Sequence, residues 1–294
     1  MSKTTTTVFI IIFAVEAGLI IIGNVFAIFV FWIQRLRVKR TCFLLINLAV
    51  ADFLVGIAEA IVLAVEKIPN AGREEKSARS SWAAFQVFAS GSSVMFLALI
   101  SLERVYAVLR PLRHRVANSR AYTYSIVIVW VTGLCSAGLW LLTIYHPKVS
   151  TVYATVTTQS LLFVFLLVIC GSYLTIRSRL HCTAPGLEGH TQNASERNLR
   201  LCKTFFIVVA VSLLLWFPAF VVHTVEDFCP RCFSQNMLSG VNILHLANSV
   251  VNPVVYSFRM SIFKEALKGC VRKRRQNIEL RTVFNNIQNQ VKVL

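Results

Sequence analysis

The chain has 294 residues, of which 56% are hydrophobic and only 15% are charged, and its mean hydropathy is +0.64. Because soluble domains carry about 25% charged residues, this composition excludes an ordinary soluble domain, a disordered chain, a collagen and a disulfide scaffold. The formal net charge of +17 would suit a nucleic-acid binder, but the basic residues cluster at the ends of apolar segments. We therefore expect a membrane protein with several spans and no nucleic-acid partner.

Seven apolar segments are each long enough to cross a bilayer as a helix, which takes about 20 residues. In chain order, the predicted spans are 8–32, 42–65, 81–106, 121–144, 152–176, 204–225 and 235–258. The first is too long for a signal-peptide core and no small-residue cleavage site follows it, so we expect it to remain as a signal anchor. The predicted fold class is an all-α membrane protein, a bundle of seven transmembrane helices.

The basic residues also predict the orientation of this bundle in the membrane. Twenty-two of the 30 Lys and Arg residues lie after the first, third, fifth or last span, and Arg104 at the end of the third span is on the same side. Segments rich in Lys and Arg stay in the cytoplasm, so residues 1–7 are predicted to be extracellular and the basic tail, 272–294, cytoplasmic. Residues 259–271 are predicted to form a short amphipathic cytoplasmic helix. The expected location is the plasma membrane, with lipid as a partner.

The cysteines divide between the two sides of the membrane. Of the eight, only Cys229 and Cys232 lie outside, where they could close a tight disulfide. A zinc site would need two more ligands, and a redox motif would need a soluble partner domain. Cys270, just after the amphipathic segment, is predicted to be palmitoylated, with an inert thiol as the alternative.

Polar side chains inside the spans form three layers. An ionisable group at membrane depth costs about 2.5–3.5 kcal/mol on insertion scales, so each one is a functional candidate. Helical spacing places these side chains on inward faces. The middle layer holds Asn24, Asp52, Ser93, Trp216, Asn248, Ser249 and Asn252. The outer layer holds Glu16, Glu59, Gln86, His223 and His245, and the inner layer holds Arg104, Tyr173 and Tyr256. Hydrogen bonds that merely join helices are the alternative explanation, but they do not require three stacked layers.

A series of motifs in the spans resembles the rhodopsin-like (class A) G-protein-coupled receptors over residues 8 to about 271. The series comprises Gly23-Asn24, Asn47 to Asp52, Glu103-Arg104-Val105, Trp130, Trp216-Phe217-Pro218, Asn252-Pro253 to Tyr256, and Phe263. Residues 104–112, which include Pro111 and Leu112, are similar to the family's second inner loop. The motifs occur in the expected order.

This resemblance implies a receptor and not an enzyme. An agonist, a small molecule or a peptide, is expected to contact Gln86, Ser90, Trp216, His223, His245 and Glu59. A sodium ion, the only cofactor expected, would be held by Asp52, Ser93, Asn248 and Asn252. Activation would swing the sixth span outward at Pro218 and uncover Arg104, so that a heterotrimeric G protein can bind. The residues expected to take part in coupling are Glu103, Arg104, Tyr173, Pro218, Asn252, Pro253, Tyr256, Pro111 and Leu112.

Other features point to a branch of the family. The cysteine pair around Pro230 and the run from Asn248 to Pro253 resemble adenosine receptors. Arg79 stands where the family usually has a cysteine, and this absence resembles melanocortin and some lipid receptors. Gln86 stands where aminergic receptors hold an aspartate, so a monoamine would lack its usual counter-ion. The seventh span contains no lysine, which excludes a retinal Schiff base.

A small ion-coupled transporter or channel is the alternative from another class. It would explain Asp52 and the intramembrane histidines as an ion path. The sequence shows neither an inverted repeat nor paired broken helices, which many transporters contain. An intramembrane enzyme is disfavoured because the chain has no HExxH motif and no nucleophile motif.

Overall fold

A computed structural model describes residues 3–34, 39–66, 73–116, 118–146, 149–182, 192–229 and 231–259, together with 263 and 269. Most of the predicted cytoplasmic helix 259–271, the predicted tail 272–294 and Cys270 lie outside these residues. Within the described ranges the secondary structure is helical, with no strand. This confirms the predicted fold class.

Within the described residues, eight helices follow one another. They are α1 (Lys3–Gln34), α2 (Lys39–Glu66), α3 (Arg73–Leu109), α4 (Pro111–Val116), α5 (Ser119–Tyr145), α6 (Thr151–Cys182), α7 (Gln192–Phe228) and α8 (Gln235–Arg259). The seven long helices contain the seven predicted spans. The short α4 was not predicted. It begins at a proline, a residue that suits the first helical position because its missing N–H is not needed there.

Five of these helices, α1, α2, α3, α5 and α6, are long and apolar enough to cross a membrane by length and composition. In α7 the apolar stretch within the described residues is shorter, Ala210–Glu226. Helix α8 is interrupted by polar residues, among them Asn242, His245 and Asn248. The two long helices outside this set, α7 and α8, both carry residues of the predicted polar layers.

Helix α3 lies at the centre of the bundle and contacts α2, α4, α5, α6 and α7, while α1 packs on α2 and α8. The main core contains fully buried side chains such as Leu48, Phe96 and Ile100. Many large apolar side chains, including Ile22 and Leu214, are exposed on the outside of the bundle. Such a surface suits lipid and not water. The arrangement places the inward polar faces of α2, α3 and α8 against one another.

Close packing of α3 on α5 depends on Gly133. A Cβ atom at this position would collide with Oγ of Ser92 and lie 3.2 Å from Cδ2 of Phe88. We expect Gly133→Ala to destabilise the protein by about 1–3 kcal/mol, the usual cost of overpacking. Gly138→Ala, on the same helix with nothing within 4 Å of its Cβ, should be neutral or stabilising, since alanine is the better helix former. Melting temperatures of the purified variants provide the measurement, and equal values for the two would contradict the packing.

Candidate functional site

A cavity of about 560 Å³ opens at the end of the bundle opposite Arg104. Its wall is made from residues of α1, α2, α3, α5, α6, α7 and α8. All six predicted ligand contacts line it: Glu59, Gln86, Ser90, Trp216, His223 and His245. Its volume lies within the range of about 300–1,000 Å³ that is typical of small-molecule sites.

His223 lies between two acceptor groups in this cavity. Its Nε2 is 2.9 Å from Oδ1 of Asn242, and its Nδ1 is 3.4 Å from Oε2 of Glu226. The His245 ring packs edge-on against Trp216, with 4.1 Å between ring centroids. Neither Asn242 nor Glu226 was predicted, although each lies three residues from a predicted histidine and therefore on a neighbouring part of the same helix face.

Several buried polar atoms at the cavity have no hydrogen-bond partner in the part of the chain that the structure describes. They are Oε1 of Gln86, Nε1 of Trp140, Oγ1 of Thr155, Oε1 of Gln159 and Nε1 of Trp216. Buried polar groups in proteins are nearly always satisfied by protein, water or ligand. These atoms can therefore donate to or accept from a bound molecule.

Asp52 is fully buried at the centre of the bundle and accepts three hydrogen bonds. Ser93 Oγ of α3 and Ser249 Oγ of α8 donate to its Oδ1 at 2.6 and 2.7 Å. Asn252 Nδ2 of α8 donates to its Oδ2 at 2.8 Å. One carboxylate thus joins three helices.

Asn248, the other residue predicted for the ion site, makes no hydrogen bond to Asp52. Its side-chain N and O atoms are both buried without a hydrogen-bond partner among the described residues, and Ser249 is the residue of this pair that contacts Asp52. Adjacent residues on a helix are about 100° apart, so only one can point directly at the carboxylate. The Oδ1 atoms of Asn248 and Asn252 are unpaired. With the carboxylate and two hydroxyls, they form a set of hard oxygen donors that fits a small cation.

The neighbouring motif residues join helices. Asn24 Nδ2 donates to the carbonyl of Ile20 at 2.9 Å and to that of Ser249 at 3.1 Å, which connects α1 to α8. Trp130 Nε1 donates to Asn47 Oδ1 at 2.9 Å and connects α5 to α2. These hydrogen bonds join α1 to α8 and α5 to α2 around the Asp52 layer. They are consistent with a structural role for Asn24, Asn47 and Trp130.

At the other end of the bundle, Glu103 and Arg104 form a buried ion pair, with side-chain exposures of 4% and 6%. His114 of α4 approaches the same carboxylate, with Nε2 at 2.8 Å from Oε1. Glu103 therefore connects the end of α3 to α4. His114 was not predicted to take part. Pro111 and Leu112 are both exposed at the start of α4, and Leu112 is 76% exposed.

Two predicted tyrosines also lie near this end. Tyr256 is fully buried, its ring packs edge-on against Phe31, and its hydroxyl has no hydrogen-bond partner in the described part of the chain. Phe263 is also buried against Phe31. Tyr173 accepts a hydrogen bond from Arg177 Nη1 at 2.9 Å, one turn along α6. Pro218 and Pro253 lie inside α7 and α8.

The predicted disulfide is present. Cys229 and Cys232 are bonded just after the end of α7, with 5.4 Å between their Cα atoms. This confirms the pairing that was expected from their position between the last two spans.

Comparison with known proteins agrees with this architecture. Residues 23–256 match the family of seven-transmembrane receptors of the rhodopsin type. The chain therefore belongs to that family, which confirms a multi-pass membrane receptor and not an enzyme, and disfavours the transporter alternative.

Individual relatives are more distant. The chain is 25% identical to the octopamine receptor beta-1R of Drosophila melanogaster over 88% of its own length, and 26% identical to lysophosphatidic acid receptor 3 of Homo sapiens over 81%. It is 21% identical to a D(5)-like dopamine receptor of Takifugu rubripes, also over 81%. The chain spans 60%, 74% and 61% of these proteins, respectively. These relatives give no support to the adenosine or melanocortin branch.

Proposed function

We propose that the protein is a plasma-membrane receptor that binds an extracellular ligand in the cavity and activates heterotrimeric G proteins at the Arg104 end. One observation carries the proposal: α3 and α8 each pass through the cavity, the Asp52 layer and the Arg104 end. Helix α3 contributes Gln86, Ser93 and Arg104. At 1.5 Å per residue, Gln86 and Arg104 are about 27 Å apart along the helix, so a small shift of α3 or α8 affects both ends.

The orientation follows from charge. Arg110, Arg113 and Arg120 follow Arg104 in the chain between the end of α3 and the start of α5, and Arg177 and Arg179 lie in the last turns of α6. Because basic segments stay in the cytoplasm, the Arg104 end faces the cytoplasm and the cavity faces outward. A ligand can then enter from outside while a G protein binds from inside.

Activation requires a ligand that binds one arrangement of the helices more tightly than the other. The Trp216–His245 contact lies at the floor of the cavity and joins α7 to α8, so a ligand there acts on both helices. Pro218 follows Trp216 by two residues and Pro253 follows Asn252. A proline inside a helix removes a backbone hydrogen bond and permits bending. We infer that bending at these points separates α7 from α3 and exposes Arg104.

The Asp52 layer is proposed to hold sodium in the inactive arrangement. The donor set is Asp52, Ser93, Ser249 and Asn252, with Asn248 beside it. A bound cation would offset the negative charge of the buried Asp52 carboxylate. Because Ser249 and Asn252 lie on α8, bending of this helix would change their distances from Asp52. The ion would therefore favour the arrangement that keeps its oxygen ligands close together, which is proposed to be the inactive one.

A nucleotide-exchange assay in membranes tests the receptor proposal. Membranes that contain the protein should accelerate exchange on at least one class of Gα subunit, relative to membranes without it. A transporter would instead give solute or ion flux that depends on Asp52. Flux without exchange on any Gα class would contradict the proposal.

The names of the relatives indicate two opposite ligand chemistries. Octopamine and dopamine are amines, whereas lysophosphatidic acid carries an anionic phosphate. We expect the charge and shape of this chain's own cavity to determine which kind of ligand it binds.

One cavity hydroxyl provides a direct test of the ligand site. Thr155 is 6% exposed, and its Oγ1 has no partner among the described residues. Thr155→Val should leave stability unchanged or slightly improved, because it removes an unsatisfied polar group. It should weaken agonist potency by about fivefold, which corresponds to about 1 kcal/mol for a lost hydrogen bond.

Thr132→Val is the matched control. Its hydroxyl already donates to Ile128 in the same helix, and it does not line the cavity. Potency of any agonist found in the exchange assay should be the same as for the parent. Equal effects of the two threonine variants would place the ligand elsewhere.

A further inference from the structure

The unpaired polar atoms of the cavity are concentrated on one part of its wall. Among the described residues that line the cavity, four such atoms belong to α3, α5 and α6, and a fifth is Nε1 of Trp216 on α7. The four are Oε1 of Gln86, Nε1 of Trp140, Oγ1 of Thr155 and Oε1 of Gln159. Helix α6 packs on both α3 and α5, and we call these four residues the polar wall.

The polar wall differs from other polar side chains of the same cavity. The hydroxyl of Thr158 donates to the carbonyl of Ala154 at 2.8 Å, and the hydroxyl of Ser90 donates to the carbonyl of Gln86 at 2.6 Å. These two side chains are satisfied within their own helices. Thr155 is 6% exposed, yet its hydroxyl has no partner among the described residues. Because buried polar groups are nearly always satisfied, we expect a ligand to supply the partners of the polar wall.

These four atoms require both donors and acceptors from a ligand. The indole N–H of Trp140 can only donate, and the Oε1 atoms of Gln86 and Gln159 can only accept, while the Thr155 hydroxyl can do either. A carboxamide contains both kinds of group, since its N–H₂ has two donors and its carbonyl oxygen has two lone pairs. An amine or a carboxylate provides one kind only when it is charged.

The charged groups of the cavity favour neither an anion nor a cation. Among the described residues that line it, the formally charged side chains are Glu59 and Glu226, with no Lys or Arg, so an anion would face two carboxylates. Glu226 already lies 3.4 Å from His223. Glu59 interacts electrostatically with Glu16 and has other interactions within the chain. Transfer of a charge into such a site without a counter-ion of its own is costly, whereas a neutral ligand avoids this cost.

We propose that the ligand is an uncharged molecule with one or more carboxamide groups, which form hydrogen bonds with Gln86, Trp140, Thr155 and Gln159. This inference rests on the proposed receptor function and names its ligand class. The cavity volume of about 560 Å³ suits a molecule with one or two rings. The apolar part of the ligand packs against Leu162 and Phe220 in the same wall.

The experiment uses the purified full-length receptor in lipid nanodiscs and two sets of compounds with matched carbon skeletons. Phenylacetamide is compared with phenethylamine and phenylacetate, and indole-3-acetamide with tryptamine and indole-3-acetate. Phenylacetone, in which a methyl group replaces the N–H₂ of phenylacetamide, keeps the carbonyl acceptor and lacks the donors. The melting temperature reports binding without a G protein, and nucleotide exchange reports signalling.

We expect at least one of the two carboxamides to raise the melting temperature and to change the rate of exchange. Its amine and its carboxylate should have no effect at the same concentration. Phenylacetone should bind more weakly than phenylacetamide by about fivefold or more, the effect of losing the hydrogen bonds to the glutamines.

Substitutions in the polar wall are the second arm. Gln159→Leu removes an acceptor, so it should weaken the carboxamide by about fivefold and change phenylacetone by less than about twofold, because the ketone makes no N–H bond. Trp140→Phe removes a donor to the carbonyl and should weaken both compounds. Gln235→Leu is the matched control, since Gln235 is exposed at the start of α8 and does not line the cavity. Melting temperatures without ligand show whether each variant is folded.

The outcomes separate this inference from the proposed function. No shift with either carboxamide, or equal losses of carboxamide and ketone binding in Gln159→Leu, would overturn the inference. Exchange stimulated by an amine or a carboxylate and not by its carboxamide would overturn the inference while supporting the receptor function. A carboxamide that raises the melting temperature through Gln159 but neither raises nor lowers exchange on any Gα class would support the ligand class and contradict the function.

Discussion

Arg104→Ala is expected to reduce receptor-catalysed nucleotide exchange at least tenfold while the cavity still binds ligand. Arg104 is buried and paired with Glu103 at the end of α3, where the proposed cleft opens. Arg110, which follows the last residue of α3, is by contrast exposed. The initial rate of exchange per receptor, with and without agonist, is the measurement.

One further variant controls this experiment. Arg120→Ala removes an exposed arginine side chain on the same side. The backbone N–H of residue 120 can still donate to the side chain of Asn118 at the start of α5, so the rate of exchange should be unchanged. In Arg104→Ala, Glu103 keeps its contact with His114, so α4 should remain attached to α3. If Arg104→Ala exchanges nucleotide as fast as the parent, the proposed coupling site is wrong. An unchanged agonist-induced melting shift would show that the cavity is intact.

Much of the Asp52 layer could be predicted because helix periodicity determines which residues share a face. Ser93 and Asn252 were identified from spacing alone, and both contact Asp52. Spacing also placed Ser249 on this face with Asn248 beside it, but it does not decide which of the two contacts Asp52, and the choice of Asn248 for the ion site followed the family resemblance. The decision depends on the rotation of α8 about its axis, which is set by packing against α1 and α7.

Contacts that cross a break in the helix were not predictable. His114 reaches Glu103 only because the chain turns between Leu109 and Pro111 and starts a new helix. Periodicity does not carry over such a break, so no spacing rule relates the two residues. Within α6, by contrast, Thr155 and Gln159 are four residues apart and line the cavity together. That polar pair on one helix face is a signal in the sequence, although the predicted ligand contacts included no residue of α6.

The second large effect is expected at Asp52. Asp52→Ala removes the acceptor of three buried hydrogen bonds, from Ser93, Ser249 and Asn252, and leaves their donors unsatisfied. We expect a loss of about 3 kcal/mol in stability. Asp52→Asn keeps the shape, and rotation of the Asn252 amide would bring its unpaired Oδ1 toward the new N–H₂. In sodium-free buffer this variant should therefore melt close to the parent.

Sodium distinguishes the parent receptor from Asp52→Asn, the two forms that are expected to have similar stability in its absence. For the parent, sodium at ten times its dissociation constant should add about 1.4 kcal/mol to stability and lower agonist potency, whereas Asp52→Asn should show neither change. Choline chloride at equal ionic strength separates ion binding from screening of surface charges. Ser249→Ala should weaken the sodium effect because its hydroxyl contacts Asp52, while Ser257→Ala should not, since that hydroxyl donates to Pro253 of its own helix. A parent receptor whose melting temperature responds equally to sodium and choline would rule out an ion at Asp52, and the three hydrogen bonds would then serve only to hold α2, α3 and α8 together.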